Sequence, residues 1–134
     1  MTLSPEMQSG LIEIAVQARG RAYAPYSHYE VGAALLAASG KVYSGVNVEN
    51  SAYPTGICAE RVAVFKAVSE GEREFEAIAV VTANGGMPCG SCRQVLAEFG
   101  LDIRVIIADT QGNVQHEMPL SDLLPGAFSN RDLM

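Results

Sequence analysis

The sequence predicts an α/β layered fold, a mixed β-sheet of about five strands with helices packed on its faces. Three observations lead there. Helix-like and strand-like segments alternate along the chain, a hairpin precedes that alternation, and the later strands are short apolar runs that read as buried. No repeat, low-complexity tract or linker interrupts the 134 residues, so residues 1–134 read as one domain. A chain of this length buries roughly two-thirds of its unfolded surface, enough for a real core.

The elements follow in order. Ser4-Pro5 is a helix start, an N-cap with proline at the first helical position. Met7, Leu11, Ile14, Ala15 and Ala18 then recur at helical spacing, and the helix is expected to end near Arg21. Pro25 makes YAPYSHYEV a loop. Val31 to Ala38 and KVYSGVNV are strand-like runs joined by Ser39-Gly40, which predicts a hairpin. After the polar loop ENSAYPTGI, a helix begins near Cys58. Its apolar stripe is expected at Ala59, Val62, Ala63, Phe65 and Val68, with Val64 off the stripe and Gly71 as the stop. Phe75 to Val81 reads as a buried strand, and ANGGMP as a glycine-rich loop. CGSCRQVLAEFG opens a helix that Gly100 stops. IRVIIAD is a β-branched strand, Gln111-Gly112 a turn, VQHEM a short edge strand, and SDLLPGAF a helical turn broken by Pro125.

Composition removes several function classes. Nine Lys+Arg stand against fifteen Asp+Glu, a net charge of −6, and no basic run occurs. Proteins that grip polynucleotides carry basic patches, so no nucleic-acid partner is expected. No apolar run approaches the ~20 residues that span a bilayer. MTLSPEMQSG lacks a basic start and an apolar signal core, which leads to the expectation of a soluble, cytoplasmic protein without a membrane partner.

The three cysteines, Cys58, Cys89 and Cys92, are an odd count, which argues against a disulfide framework. Three is also the protein-ligand count of a catalytic zinc. Both cysteine groups sit where a loop becomes a helix. The positive end of a helix favours thiolate, the form that binds zinc. Cys89 and Cys92, three residues apart, share a helix face. Two parallel neighbouring strands would bring both helix starts to the same sheet edge. Glu60 lies two residues past Cys58, on another face, and can stand beside an open coordination position as a proton carrier. Other readings stay open for the residues alone. C-G-S-C could be a thiol–disulfide pair, the cysteines could be inert core residues, and His28 or His116 could close a four-ligand structural zinc.

The pattern C-A-E, a gap, then P-C-x-x-C matches the signature of zinc deaminases. Over nearly its whole length the chain resembles the small zinc-dependent cytidine deaminases. The resemblance is carried by YAPYSHYEVGAALL, GVNVENSAY, GICAERVAVFKAVSEG, MPCGSCRQVLAEFG and LLPGAFSNRDL, in that order. It implies a cytidine deaminase-like fold and one zinc held by Cys58, Cys89 and Cys92. It implies hydrolytic deamination of cytidine and 2′-deoxycytidine to the uridines and ammonia, with Glu60 as proton shuttle. Asn47 and Glu49 would bind the ribose 3′-hydroxyl region and Tyr53 would lie near the sugar. Backbone groups of Ala59 and Met87 would read the base edge, and Tyr29 would flank the pyrimidine. Phe128 would arrive from a neighbouring subunit, because relatives of this short class are homotetramers with shared active sites. Arg61 resembles the family arginine that bonds the cysteine sulfurs. Three thiolates and Zn²⁺ sum to −1, and a cation on the sulfurs restores the acidity of the metal. A related deaminase of a modified cytosine nucleoside such as blasticidin S is the nearest alternative; the intact NVEN and the arginine of CAER favour plain cytidine. A non-catalytic zinc or redox protein is the alternative from another class.

Overall fold

The computed structural model describes residues 3–134. Five strands form one mixed sheet in the order β2-β1-β3-β4-β5. They are β1 (Gly32–Ala37), β2 (Val42–Val46), β3 (Phe75–Val81), β4 (Arg104–Ala108) and β5 (Val114–Pro119). Among the described residues three α-helices accompany them, α1 (Pro5–Arg19), α2 (Ala59–Ser69) and α3 (Gly90–Ala97). β3 and β4 pair in parallel, and every other neighbouring pair is antiparallel. The β1–β2 hairpin turns at Gly40, whose φ of 94° suits glycine.

The sheet is covered on both faces, which is why its central strands are apolar without alternation. On one face Ala34, Leu36, Ala77, Ala79, Val81, Ile106 and Ala108 meet Leu11, Ile12 and Ala15 of α1. On the other, Ala33, Leu35, Ile78, Val80, Val105 and Ile107 meet Ala63, Val64 and Ala67 of α2 and Leu96 of α3. Ser4 caps α1 as expected, accepting from the Met7 amide at 3.2 Å.

Two helical stripes differ from the sequence reading. In α1 the buried set is Leu11, Ile12, Ala15 and Ala18, while Met7 and Ile14 are exposed. The stripe is rotated toward Ile12. In α2 the buried set is Ala59, Glu60, Ala63, Val64 and Ala67. Val64 is core and Phe65 is 49% exposed, the reverse of expectation. The cause is Glu60. It stands within the buried stripe, where apolar patterning admits no carboxylate, so the apolar pattern and the buried face of α2 fall out of phase.

A third difference concerns how the helix starts meet. The strands that feed α2 and α3 are β2 and β3. They run in the same direction but are separated by β1, antiparallel to both. The two helix N-termini therefore face each other across β1 rather than from adjacent parallel strands. Close approach of α2 to the sheet is set at Gly45 of β2. A Cβ there would overlap the Ala59 carbonyl and lie 2.7 Å from the Ala63 amide.

Candidate active site

Cys58 and Cys89 are the N-cap residues of α2 and α3, both with extended backbone. N-caps are ordinarily Ser, Thr, Asp or Asn, whose oxygen bonds the first-turn amides. Neither cysteine makes such a bond. The thiols turn toward each other instead. Cys58 is fixed from behind by a two-way backbone pairing of Val48 with Ile57, at 3.0 Å each way. Cys89 is fixed by Arg93, whose Nε donates to the Pro88 carbonyl at 2.8 Å and whose Nη1 donates to the Leu123 carbonyl at 2.9 Å.

The three cysteine Sγ atoms lie within 4.8 Å of one another. Cys58 and Cys89 are 3.8 Å apart, and Cys89 and Cys92 are 3.5 Å apart. Tetrahedral zinc with Zn–S bonds of ~2.3 Å requires sulfurs roughly 3.8 Å apart, so the spacing fits the ion. Among the described residues no histidine or carboxylate joins this cluster. His116 pairs with Ile107 on the edge strand and His28 lies in the loop before β1.

The surroundings fit thiolate ligands. Arg61 Nη2 donates to Cys58 Sγ at 3.5 Å, and Arg61 Nε is buried with no hydrogen-bond partner among the described residues. The Cys58 thiol is lowered to about 5, first by its hydrogen bond with Cys92 and then by Arg61. The fully buried Cys92 thiol moves the other way, raised first by the same bond and then by burial. The contact with Cys58 also holds Arg61 firmly protonated.

The cluster opens onto a cleft of about 700 Å³, the size of a small-molecule site. Glu60, Cys58 and Cys89 line it beside Tyr29, Asn47, Glu49, Tyr53 and Met87. Glu60 is 5% exposed, and burial, reinforced by the charge of Cys58, pushes its carboxyl up to about 7. Such a group gains and loses a proton near neutrality.

The other expected contacts are placed as follows. Asn47 spans the loop before β1. Its Oδ1 accepts from the Val31 amide at 2.9 Å and its Nδ2 donates to the Tyr29 carbonyl at 2.8 Å. One amide hydrogen and one lone pair remain for a ligand. Glu49 accepts from the amides of Tyr26 and Ser27 at 2.9 and 3.1 Å, and from the Ser27 hydroxyl. These bonds, the hydroxyl's first, hold its carboxyl below the usual range. Tyr53 is 77% exposed at the rim, edge-on to Tyr26 with ring centroids 6.0 Å apart. Ala59 is wholly buried at the first turn of α2 and is not among the lining residues. Phe128 does not reach this cleft. Its ring is 57% exposed, while its carbonyl accepts from Gln94 Nε2 at 2.8 Å. Tyr26, Ser27, Thr82, Asn84 and Arg93 escaped the sequence reading. Tyr26 and Ser27 lie in a motif that pointed to them as a loop, but their partner Glu49 is over twenty residues away. Nothing in the sequence singles out Thr82 or Asn84.

Comparison with known proteins agrees with this geometry. Residues 5–108 match the family model described as the cytidine and deoxycytidylate deaminase zinc-binding region. A cytidine deaminase of Halalkalibacterium halodurans is 52% identical over 126 residues, 92% of this chain and 95% of that protein. The crystal structure of cytidine deaminase from Burkholderia pseudomallei superposes with a TM-score of 0.84 at 49% identity, covering 89% of this chain and 97% of that one. That of cytidine deaminase from Mycobacterium tuberculosis gives 0.78 at 41% identity, covering 89% and 94%. With three thiols at zinc spacing, a buried glutamate beside them and a family match across most of its length, the chain belongs to the zinc-dependent cytidine deaminases.

Proposed function

We propose that the cleft binds cytidine and 2′-deoxycytidine and replaces the 4-amino group with oxygen, releasing uridine or 2′-deoxyuridine and ammonia. The observation that carries this reading is Glu60, a buried carboxyl poised near neutrality, in one cleft with the three-thiol cluster. Cys58, Cys89 and Cys92 would hold the zinc, one per chain, which when bound supplies Lewis acidity toward water. Glu60 moves the protons. It takes one proton from the attacking water and gives it to ring N3 as C4 becomes tetrahedral, then takes the second from the new C4 hydroxyl and delivers it to the amino group as the C4–N bond breaks and the C4 carbonyl forms. Arg61 offsets the surplus negative charge of three thiolates on a dication. Tyr29 supplies an aromatic wall for the pyrimidine, and the backbone of Met87 meets the base edge; no base contact is assigned to Ala59, which does not line the cleft and whose carbonyl is turned toward Gly45 of β2. Asn47 and Glu49 receive the sugar hydroxyls, with Tyr53 at the mouth.

The charge of the cleft favours a nucleoside over a nucleotide. Its lining carries Glu49 and Glu60 against one cation, Arg61, already committed to Cys58. Nothing there offsets the charge of a 5′-phosphate. Cytidine is therefore expected to be deaminated at least ~100-fold more efficiently than its 5′-monophosphate, a margin of about 2.7 kcal/mol in transition-state binding. Side-by-side absorbance assays with cytidine, deoxycytidine, the monophosphate and blasticidin S check this. Preference for the monophosphate or for blasticidin S contradicts it.

The finer reading of partners is a cytoplasmic homotetramer of single-domain chains in which Phe128 enters a neighbour's cleft. Its support is the exposed Phe128 ring on a tail that Gln94 and Arg93 tie to α3, the helix that carries Cys92. Light scattering is expected to give four chains. Phe128→Ala is expected to raise KM by about 10-fold or more through loss of an aromatic contact. A monomer of full activity contradicts the shared site.

A further inference from the structure

Loop 83–88 connects the end of β3 to Cys89 and forms one wall of the cleft. Three of its attachments are internal to the scaffold. The Gly86 amide donates to the Thr82 hydroxyl at 2.8 Å, and Arg93 holds the Pro88 carbonyl. Gly85, at φ 70°, lies so close to Gln115 of β5 that a Cβ would come 2.7 Å from the Gln115 Cγ. The fourth attachment comes from across the cleft. The Tyr29 hydroxyl donates to Asn84 Oδ1 at 2.7 Å, and the same oxygen accepts from the Thr82 hydroxyl at 3.2 Å.

Tyr29 is thereby held at both ends. Its amide donates to Ser27 Oγ at 3.0 Å and its carbonyl accepts from Asn47. Its ring tip is tied to Asn84. The space around that tip is full. A Cβ on Gly86 would overlap the Tyr29 hydroxyl, yet the next atoms, Asn84 Oδ1 and Tyr29 Cζ, would be 3.5 and 3.6 Å away, ordinary contact distances. Gly86 is not in the left-handed region, so a side chain there meets a steric obstacle and no backbone strain. The obstacle is one oxygen atom.

We propose that the Tyr29 hydroxyl, Asn84 and Gly86 form a latch that fixes loop 83–88 against the aromatic wall before substrate arrives, and that glycine is required at 86 because that hydroxyl occupies its Cβ position. Tyr29 and Asn84 act through it as positioning residues. Freezing the ring and the loop in advance lowers the ordering cost of nucleoside binding, so the latch acts on KM more than on kcat. The proposal rests on the reading of the cleft as the cytidine site.

The test is a set of double-variant cycles on the full zinc-loaded chain, with KM, kcat, metal content and thermal midpoint read for each protein. Tyr29→Phe removes the hydroxyl and keeps the ring; KM is expected to rise about 3–10-fold with kcat within about twofold. Asn84→Ala is expected to raise KM by a similar factor and to add little to Tyr29→Phe, since both remove the Tyr29–Asn84 bond and Asn84→Ala loses only the longer Thr82 contact besides. Gly86→Ala alone is expected to raise KM by about 10-fold or more. In the Tyr29→Phe background it is expected to cost no more than about twofold, because the obstructing atom is gone. Equal harm from Gly86→Ala in both backgrounds, or an unchanged KM in Tyr29→Phe, overturns the latch. If Gly86→Ala fails to fold in the Tyr29 background but folds with Tyr29→Phe, that rescue supports it; failure in both overturns it. If the unmodified chain releases no ammonia from cytidine, the reading of the cleft fails separately. The same cycles in thermal midpoint then decide the latch, with rescue supporting it and additivity overturning it.

Discussion

Glu60→Gln is expected to lower kcat by about 10²–10⁴-fold while the zinc content stays at one per chain and KM changes only a few-fold. Glutamine has nearly the size of glutamate, so the buried position in α2 stays filled. It retains hydrogen-bonding capacity and loses only the ability to carry a proton. Glu60 lies two residues past Cys58 and is not among the thiol cluster, so its replacement removes no ligand. It also removes a carboxyl whose negative charge repels that of the Cys58 thiolate, so the change relieves the thiolate of a like-charged neighbour. Steady-state kinetics paired with metal analysis separates the outcomes. Loss of turnover together with loss of zinc would make Glu60 a structural support. Normal turnover with zinc in place would remove it from the chemistry altogether.

Gly45→Ala carries the second large effect. The added methyl would be driven into the first turn of α2, overlapping the Ala59 carbonyl and lying 2.7 Å from the Ala63 amide and 3.1 Å from the Ala63 Cβ. Those two backbone groups stand four residues apart, where the turn makes its own hydrogen bond. The helix must lift off β2, and with it move Cys58 at its cap and Glu60 in its first turn. Overpacking of this kind costs about 1–3 kcal/mol, occasionally more. That corresponds to a fall in Tm on the order of 5–10 °C. Faster zinc release to a chelator is expected alongside. Gly10→Ala is the counterpart. Gly10 is exposed in the middle of α1, and a Cβ there meets nothing within 4 Å. Alanine in place of a helical glycine stabilises by roughly 0.5–1 kcal/mol. Thermal melts of the two variants should therefore shift in opposite directions. A Gly45→Ala protein with an unshifted Tm contradicts the close approach of α2 to β2.

How far the sequence reaches differs from element to element. Strand β3 was legible to its ends because Phe75–Val81 is buried at every position but Glu76 and is bounded by polar residues. The hairpin was legible from Ser39-Gly40, and the cysteine cluster from spacing, since helix starts are local features. The phase of α2 was not legible, because one position of its buried face is polar. A carboxyl within the buried face breaks the rule by which buried faces are recognised, and Glu60 is that carboxyl. Directional agreement of β2 and β3 depends on β1 lying between them, a tertiary choice that no local pattern specifies. The polar contacts of the cleft join residues far apart in sequence. Tyr29 and Asn84 are 55 positions apart, and neither residue carries a mark of the other.

If three thiolates hold a zinc beside which Glu60 moves protons for the deamination of cytidine, activity and metal must leave and return together. This is tested most directly by measuring ammonia release from cytidine together with zinc per chain, before chelation, after chelation and after zinc is returned. The expected result is one zinc per chain, ammonia and uridine in equal amounts, loss of both activity and metal on chelation, and recovery of both with zinc. Undiminished ammonia release from the zinc-stripped protein, or a zinc-free, inactive protein with a reversible Cys89–Cys92 disulfide, would contradict it.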